Sequence, residues 1–304
     1  MSVFECLRHI GGICVAACMV AAYAFPSTAL AKVYVDEAGR RVDIPASPQR
    51  IVSLAPSITE TLFALGLDRE VVGVTMLSTY PEAARSKPRV GTFINISLER
   101  VVSLSPDLVI GTADGNRTGT VEQLERVGIP VYIVNPRSCE EIFRMTLNIG
   151  GITGRVNQAE AVVADLRKRI DRVASLLKGL PEPNVFFQIG INPIITVGKD
   201  TLHNELIRRA GGVNVYENAS ARYPRCGIED IIARNPDIII ISSMKRGGDF
   251  LHIRDGWKKW KTLTAVRDDR IHIIEADIVD HASPRIVDGL EKMARIIHPD
   301  VSWK

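Results

Sequence analysis

A stretch of thirteen residues occurs twice in this chain. Leu98-Glu99-Arg100-Val101-Val102-Ser103-Leu104-Ser105-Pro106-Asp107-Leu108-Val109-Ile110 aligns without gaps on Ile228-Glu229-Asp230-Ile231-Ile232-Ala233-Arg234-Asn235-Pro236-Asp237-Ile238-Ile239-Ile240, 130 residues later. Each copy reads as a short helix, a Pro-Asp turn and a buried strand, because Pro ends a helix, Asp suits a turn and a β-branched run packs well in a sheet. That common connection accounts for Pro106, Asp107, Pro236 and Asp237. It leaves unexplained the acidic residue that opens both helices at the same place, Glu99 and Glu229. A chain that repeats such a unit is expected to fold into two similar halves.

The rest of the pattern fits. A length of 304 residues suits two domains. Arg50 to Leu54 reads as a strand, and Ser57-Ile58-Thr59-Glu60 has the form of a capping box opening a helix that Gly66 stops near Leu65. Strands follow at 71–74, 108–110 and 131–134, with a helix over 121–127 closed by Gly128. Strands alternating with helices predict a parallel sheet covered on both faces. From Gly154 to Leu180 the apolar residues keep i, i+3, i+4 spacing with no interior Gly or Pro, which predicts one helix of about 25 residues, about 37 Å long. Gly179, Pro181 and Pro183 end it, and Gly150 to Gly154 before it reads as a turn. Beyond it, 185–189 restarts the strand pattern, and Thr201 to Ala210 is a helix closed by Gly211-Gly212. The spacing from Glu60 to Gly66 recurs from Glu205 to Gly211. The expected organisation is α/β, with a signal over 1–31, a first lobe over 32–152, a connecting helix over 153–180 acting as a strut, and a second lobe over 181–304.

The signal is read from Arg8 and His9, the apolar run Ile10 to Phe25 and an A-x-A site ending at Ala31, which together predict export to the periplasm with cleavage after Ala31. The rival is a membrane anchor, against which the apolar run is short of the ~20 residues a membrane span needs. A second rival is lipid attachment at Cys18, since Val15-Ala16-Ala17-Cys18 looks like a lipobox. Cleavage leaves Cys139 and Cys226, which either pair or stay free.

Charge narrows the function. There are 38 Lys+Arg against 35 Asp+Glu, a net of +3. With no long basic run, the chain lacks the electrostatic footprint of a nucleic-acid binder. It has no metal-binding CxxC or HExxH, no GxGxxG, no GxxxxGK[ST] and no GxSxG. Gly111 to Asn116 is glycine-rich after a strand, but without the dinucleotide fingerprint. His281, in Asp280-His281-Ala282-Ser283-Pro284-Arg285 after the strand 271–275, stands where a doubly wound sheet binds ligands, or it is a solvated loop histidine. Asp280 with His281 is also the one candidate pair for an enzyme on such lobes.

Gln188-Ile189-Gly190-Ile191-Asn192-Pro193, Gly198-Lys199-Asp200, Gly211-Gly212-Val213-Asn214 and Ala282-Ser283-Pro284-Arg285 together resemble the helical-backbone (class III) substrate-binding proteins of ABC importers, and among them the periplasmic binders of vitamin B12. The resemblance runs from about Arg50 to Ile297. It implies two Rossmann-like lobes joined by one long helix, little closure on binding, and no enzymatic activity or resident cofactor. The cargo it implies is cobalamin or a related corrinoid in the inter-lobe cleft; a ferric siderophore or haem is the alternative. The partner it implies is a permease dimer with its ATPase subunits, served by a monomer. Residues matching the family's cargo wall are Leu77, Phe93, Thr112, Tyr223 and Ile278, with Asp280, His281 and Arg285 beside them. Only Phe93 and Tyr223 keep an aromatic face for a flat macrocycle. Glu99 and Glu229 match the two glutamates by which the family docks on its permease. Charge on both lobes suits a two-fold partner, although a glutamate at a helix start also favours the helix dipole.

Overall fold

The structure, a computed structural model, describes residues 31–242 and 250–303. The expected export signal, including Cys18, lies outside the described residues except for Ala31. A hairpin of β1 (Lys32–Val35) and β2 (Arg41–Ile44) leads into a first sheet of β3 (Ile51–Ser53), β4 (Val71–Gly73), β5 (Leu108–Thr112) and β6 (Val131–Val134). These four strands are parallel and ordered β4-β3-β5-β6. The helices among them are α1 (Pro56–Ala64), α2 (Leu98–Ser103) and α3 (Thr118–Arg126), followed by α4 (Cys139–Ile152) and the long α5 (Val156–Leu177).

The second half repeats the plan. β7 (Asn184–Ile191), β8 (Ile194–Thr196), β9 (Val213–Asn214), β10 (Ile238–Ile241) and β11 (Ile271–Ile273) form its sheet. β11, β10, β7 and β9 are neighbours in parallel, the same order as β6, β5, β3 and β4, and only β8 folds back antiparallel on β7. Its helices are α6 (Leu202–Arg209), α7 (Ile228–Arg234), α8 (Phe250–Trp257), α9 (Thr264–Arg267), α10 (Ala276–Asp280) and α11 (Ile286–Ile297).

The duplicated stretch is duplicated in backbone too. Each helix leaves through one left-handed residue, Ser105 at φ 45° and Asn235 at φ 42°, before its Pro-Asp turn. The two turn aspartates then do the same job. Asp107 accepts the amides of Gln49 at 2.7 Å and Arg50 at 2.9 Å, and Asp237 accepts that of Asn184 at 2.8 Å. Each carboxylate thus pins the start of the neighbouring central strand, which sets the register of β3 on β5 and of β7 on β10.

Helix α5 is shorter than its apolar pattern suggested, 22 residues, and it is packed along its length. Ala159, Val163, Leu166, Ile170, Val173 and Leu177 form a buried stripe within one core that continues into α4 and α11. Arg169 adds ion pairs to Asp288 at 2.6 Å and Glu291 at 2.9 Å on α11. The expectation of a turn over Gly150 to Gly154 is corrected. Gly150 and Gly151 belong to the last turn of α4, and a Cβ on Gly150 would come within 2.5 Å of the Ala159 Cβ. Glycine is there because α4 and α5 approach closely; only Gly154, at φ 72°, makes the turn.

A second correction concerns the capping box. Helix α1 starts one residue early, at Pro56, with Ala55 before it and no side-chain cap. Proline at the first turn needs no N–H acceptor, and Glu60 is left to act elsewhere.

Candidate functional site

Glu60 is a carboxylate in the protein interior, its side chain 2% exposed, and its partners all come from the other half of the chain. It accepts from Ser283 Oγ at 2.5 Å and Arg285 Nη1 at 3.1 Å, and lies 2.9 Å from His281 Nδ1. The Arg285 guanidinium stacks on the Tyr80 ring of the first half, 3.5 Å from its centroid. A counterpart sits on α6, where Glu205 accepts the amide of Cys139 at the start of α4. Each half therefore sends a glutamate from its first helix to the start of the other half's last helix.

Beside this network a cavity of about 380 Å³ opens between the two halves. Its walls come from the carboxyl ends of the strands: Ala55, Pro56 and Ser57 after β3, Thr112 and Asp114 at β5, Val134 and Pro136 at β6, and Ala276, Asp277, Asp280, His281 and Ala282 along α10 beyond β11. Leu77 and Phe93 complete it from loops. Ligands of doubly wound sheets sit outside the carboxyl ends of the strands. A wider groove of about 900 Å³ lies along α6 and the start of α4, but its walls are mostly charged, with four arginines and five carboxylates.

The expected cargo residues divide. Leu77, Phe93, Thr112, Asp280 and His281 line the cavity. Tyr223 is half-exposed; burial pushes its phenol up, Arg222 pulls it down, and the carboxylates of Asp114 and Asp280 push it up again. It stands within electrostatic reach of both walls. Arg285 is not a cavity-lining residue, because Glu60 and Tyr80 hold its guanidinium. Ile278 is 6% exposed and packs in the core, so it offers no wall to a cargo.

Support for the cavity comes from residues that sequence reasoning passed over. His203, buried on α6, holds Asp280 through a 2.7 Å contact from Nε2 to Oδ1. Asp280 and His281 therefore face different partners and do not form a catalytic pair. Gly115 has no side chain because the Phe93 ring occupies that space, two of its atoms 1.9 Å from where a Cβ would stand. Asn116 donates to the carbonyls of Leu54 at 3.2 Å and Phe93 at 3.0 Å and accepts the Thr112 amide at 2.7 Å. The glycine-rich loop 111–116 is thereby accounted for as a brace for the aromatic wall. Asp114 and Asp277 carried no motif, and only their position after a strand end marked them.

Residues 51–278 match the periplasmic binding protein family. The chain belongs to that family. This binding protein is 33% identical over 276 residues to an uncharacterized ABC transporter substrate-binding lipoprotein of Bacillus subtilis, covering 88% of the chain and 86% of the relative. It superposes on the periplasmic vitamin B12-binding protein of Vibrio cholerae with TM-score 0.72 at 27% identity, over 83% of the chain and 97% of that structure. A periplasmic haem-binding protein of Pseudomonas aeruginosa gives TM-score 0.75 at 28% identity, over 84% and 94%. This binding protein is thus a substrate-binding component of an ABC importer and not an enzyme, which implies permease and ATPase partners and a small-molecule cargo. The α/β architecture with parallel-sheet lobes agrees with those structures. Cys139 and Cys226 are free; Cys139 is buried, and burial pushes its thiol up to about 12.

Glu99 and Glu229 sit alike, exposed in the first turns of α2 and α7, and neither has an ion-pair partner among the described residues.

Proposed function

We propose that this binding protein captures a corrinoid, cobalamin or an incomplete relative of it, and delivers it in the periplasm to a permease that it meets through Glu99 and Glu229. The observation that supports the cargo is the charge of the cavity wall. Among the described residues, Asp114, Asp277 and Asp280 line it with His281, and no Lys or Arg does. A corrin ring carries neutral amide side chains around a cationic metal centre, and amide N–H groups find acceptors on such a wall. Haem ends in carboxylates, and catecholate and carboxylate siderophore complexes are anionic; like charges brought together cost several kcal/mol. The apolar part of the wall, Leu77, Phe93, Val134 and the prolines 56 and 136, suits a flat macrocycle.

The rival cargo, haem or a ferric siderophore, draws on the loop arginines Arg137 and Arg222, which line the wider groove. Arg137, however, lies 3.4 Å from Asp114, and Arg222 donates to the Asp200 carbonyl at 2.9 Å. Titration of the purified protein with diaquocobinamide, cyanocobalamin, haemin and a ferric catecholate decides between them. Micromolar or tighter binding of a corrinoid, with at least tenfold weaker haemin binding, is the expected result. Haemin binding tighter than both corrinoids overturns the assignment.

A further inference from the structure

Among the described residues the cavity wall carries one imidazole, that of His281, and its two nitrogens have different surroundings. Nδ1 of His281 lies 2.9 Å from Glu60 Oε1. Glu60 in turn accepts from Ser283 and Arg285, so its carboxylate is fixed from three sides. An imidazole that donates its Nδ1 proton to a carboxylate presents its lone pair at Nε2. That atom lies 3.8 Å from Asp277 Oδ1, beyond hydrogen-bond reach but within ion-pair range, and both residues line the cavity. A carboxylate holding one imidazole nitrogen while the other looks into a ligand cavity is how proteins fix the tautomer and direction of a metal-ligating histidine.

We propose that Nε2 of His281 ligates the metal of the cargo, which makes the cavity selective for a corrinoid with an exchangeable axial position. The proposal rests on the corrinoid reading and sharpens it. In the binding step a water leaves cobalt(III), the Nε2 lone pair takes its place, and the Nδ1 proton stays on the hydrogen bond to Glu60. No electron is transferred, and nothing beyond the corrinoid and the protein is needed. A corrinoid whose two axial positions are both held by strong ligands gains nothing from His281.

The test compares diaquocobinamide, whose axial waters exchange, with dicyanocobinamide, whose axial positions are filled. The wild-type protein is expected to shift the visible bands of diaquocobinamide to those of an imidazole complex. It should bind that form 10 to 100-fold more tightly than dicyanocobinamide, on the scale of a lost metal-site interaction. His281→Ala should lose both the shift and the preference, and free imidazole should restore the shift. His281→Gln keeps an amide donor for Glu60, so it separates ligation from the support of the Glu60 network; it should also lose the shift. If wild type binds diaquocobinamide with no spectral change, or if His281→Gln keeps both shift and preference, ligation is refuted while the corrinoid reading stands. If neither corrinoid binds, the corrinoid reading falls and takes the proposal with it.

Discussion

Glu205 on α6 accepts the amide of Cys139 at 2.9 Å, as Glu60 on α1 accepts the hydroxyl of Ser283. The two bonds cross the boundary between the halves in opposite directions, each ending at the start of a helix that packs on α5. The Glu60 arm is the more deeply buried, with side-chain exposure of 2% against 23% for Glu205. Removing one member of a buried ion pair strands the other in low dielectric. Glu60→Ala should therefore destabilise the protein by about 3–5 kcal/mol. Glu205→Ala should cost only about 1 kcal/mol, since water reaches part of that site. Urea unfolding of both variants checks the ranking, and equal losses would refute it.

Phe93 owes its place to a missing side chain. Gly115→Ala should push the ring off the cavity wall and weaken corrinoid binding by about tenfold, a loss of about 1.4 kcal/mol. Phe93→Ala should cost a similar factor. Because both changes remove one wall, the double variant should bind no more weakly than either single one. Fully additive losses in calorimetric titration would show that Gly115 acts by another route.

Transport should depend on the paired glutamates without cargo binding noticing. Glu99→Ala combined with Glu229→Ala is expected to abolish uptake in reconstituted vesicles while corrinoid affinity stays within twofold of wild type, since charge pairing at a docking face sets orientation and on-rate. Normal uptake by the double variant contradicts the assigned role.

Acid should expose the bond between α5 and α11. The Arg169 hydrogen bonds hold the Glu291 carboxyl below its ordinary 4.5, against a smaller opposing push from burial. A depressed carboxylate contributes stability that is whole above the unfolded value and disappears as pH falls through the lower folded one. Arg169→Ala should therefore be less stable than wild type at pH 7, and the gap should close as pH falls below about 4.5. A gap independent of pH between 7 and 3 would exclude the linkage.

Much of the frame was legible in the chain. The repeat at 98–110 and 228–240 announced two halves because Pro-Asp turns and β-branched runs are local signals, and the long apolar period gave α5. What stayed hidden was set by distant partners. Ser57-x-x-Glu60 has the form of a cap, and nothing nearby reveals that Glu60 serves Ser283 and Arg285 across the molecule. Gly150 looked like a turn because its reason, Ala159 on the next helix, is a packing contact. Of the residues that line the cavity, Leu77, Phe93, Thr112, Asp280 and His281 were expected from the family resemblance. Asp114 and Asp277, and His203 behind Asp280, were not, since a lone Asp or His has the same appearance whether it serves a cavity or faces water. Arg285 and Ile278, named through the resemblance, lie off the cavity because Glu60 and Tyr80 hold the one and the core takes in the other.

The continuous core through α4, α5 and α11 has a consequence for traffic at the membrane. A receptor whose halves are fused by shared packing gains little from changing shape when loaded, so its affinity is not reduced by the rarity of a binding-competent state. Empty and loaded copies should then offer the permease nearly the same face. Import should follow the ratio of loaded to empty receptors, and overproducing the protein when cargo is scarce should slow uptake by queuing empty copies at the gate.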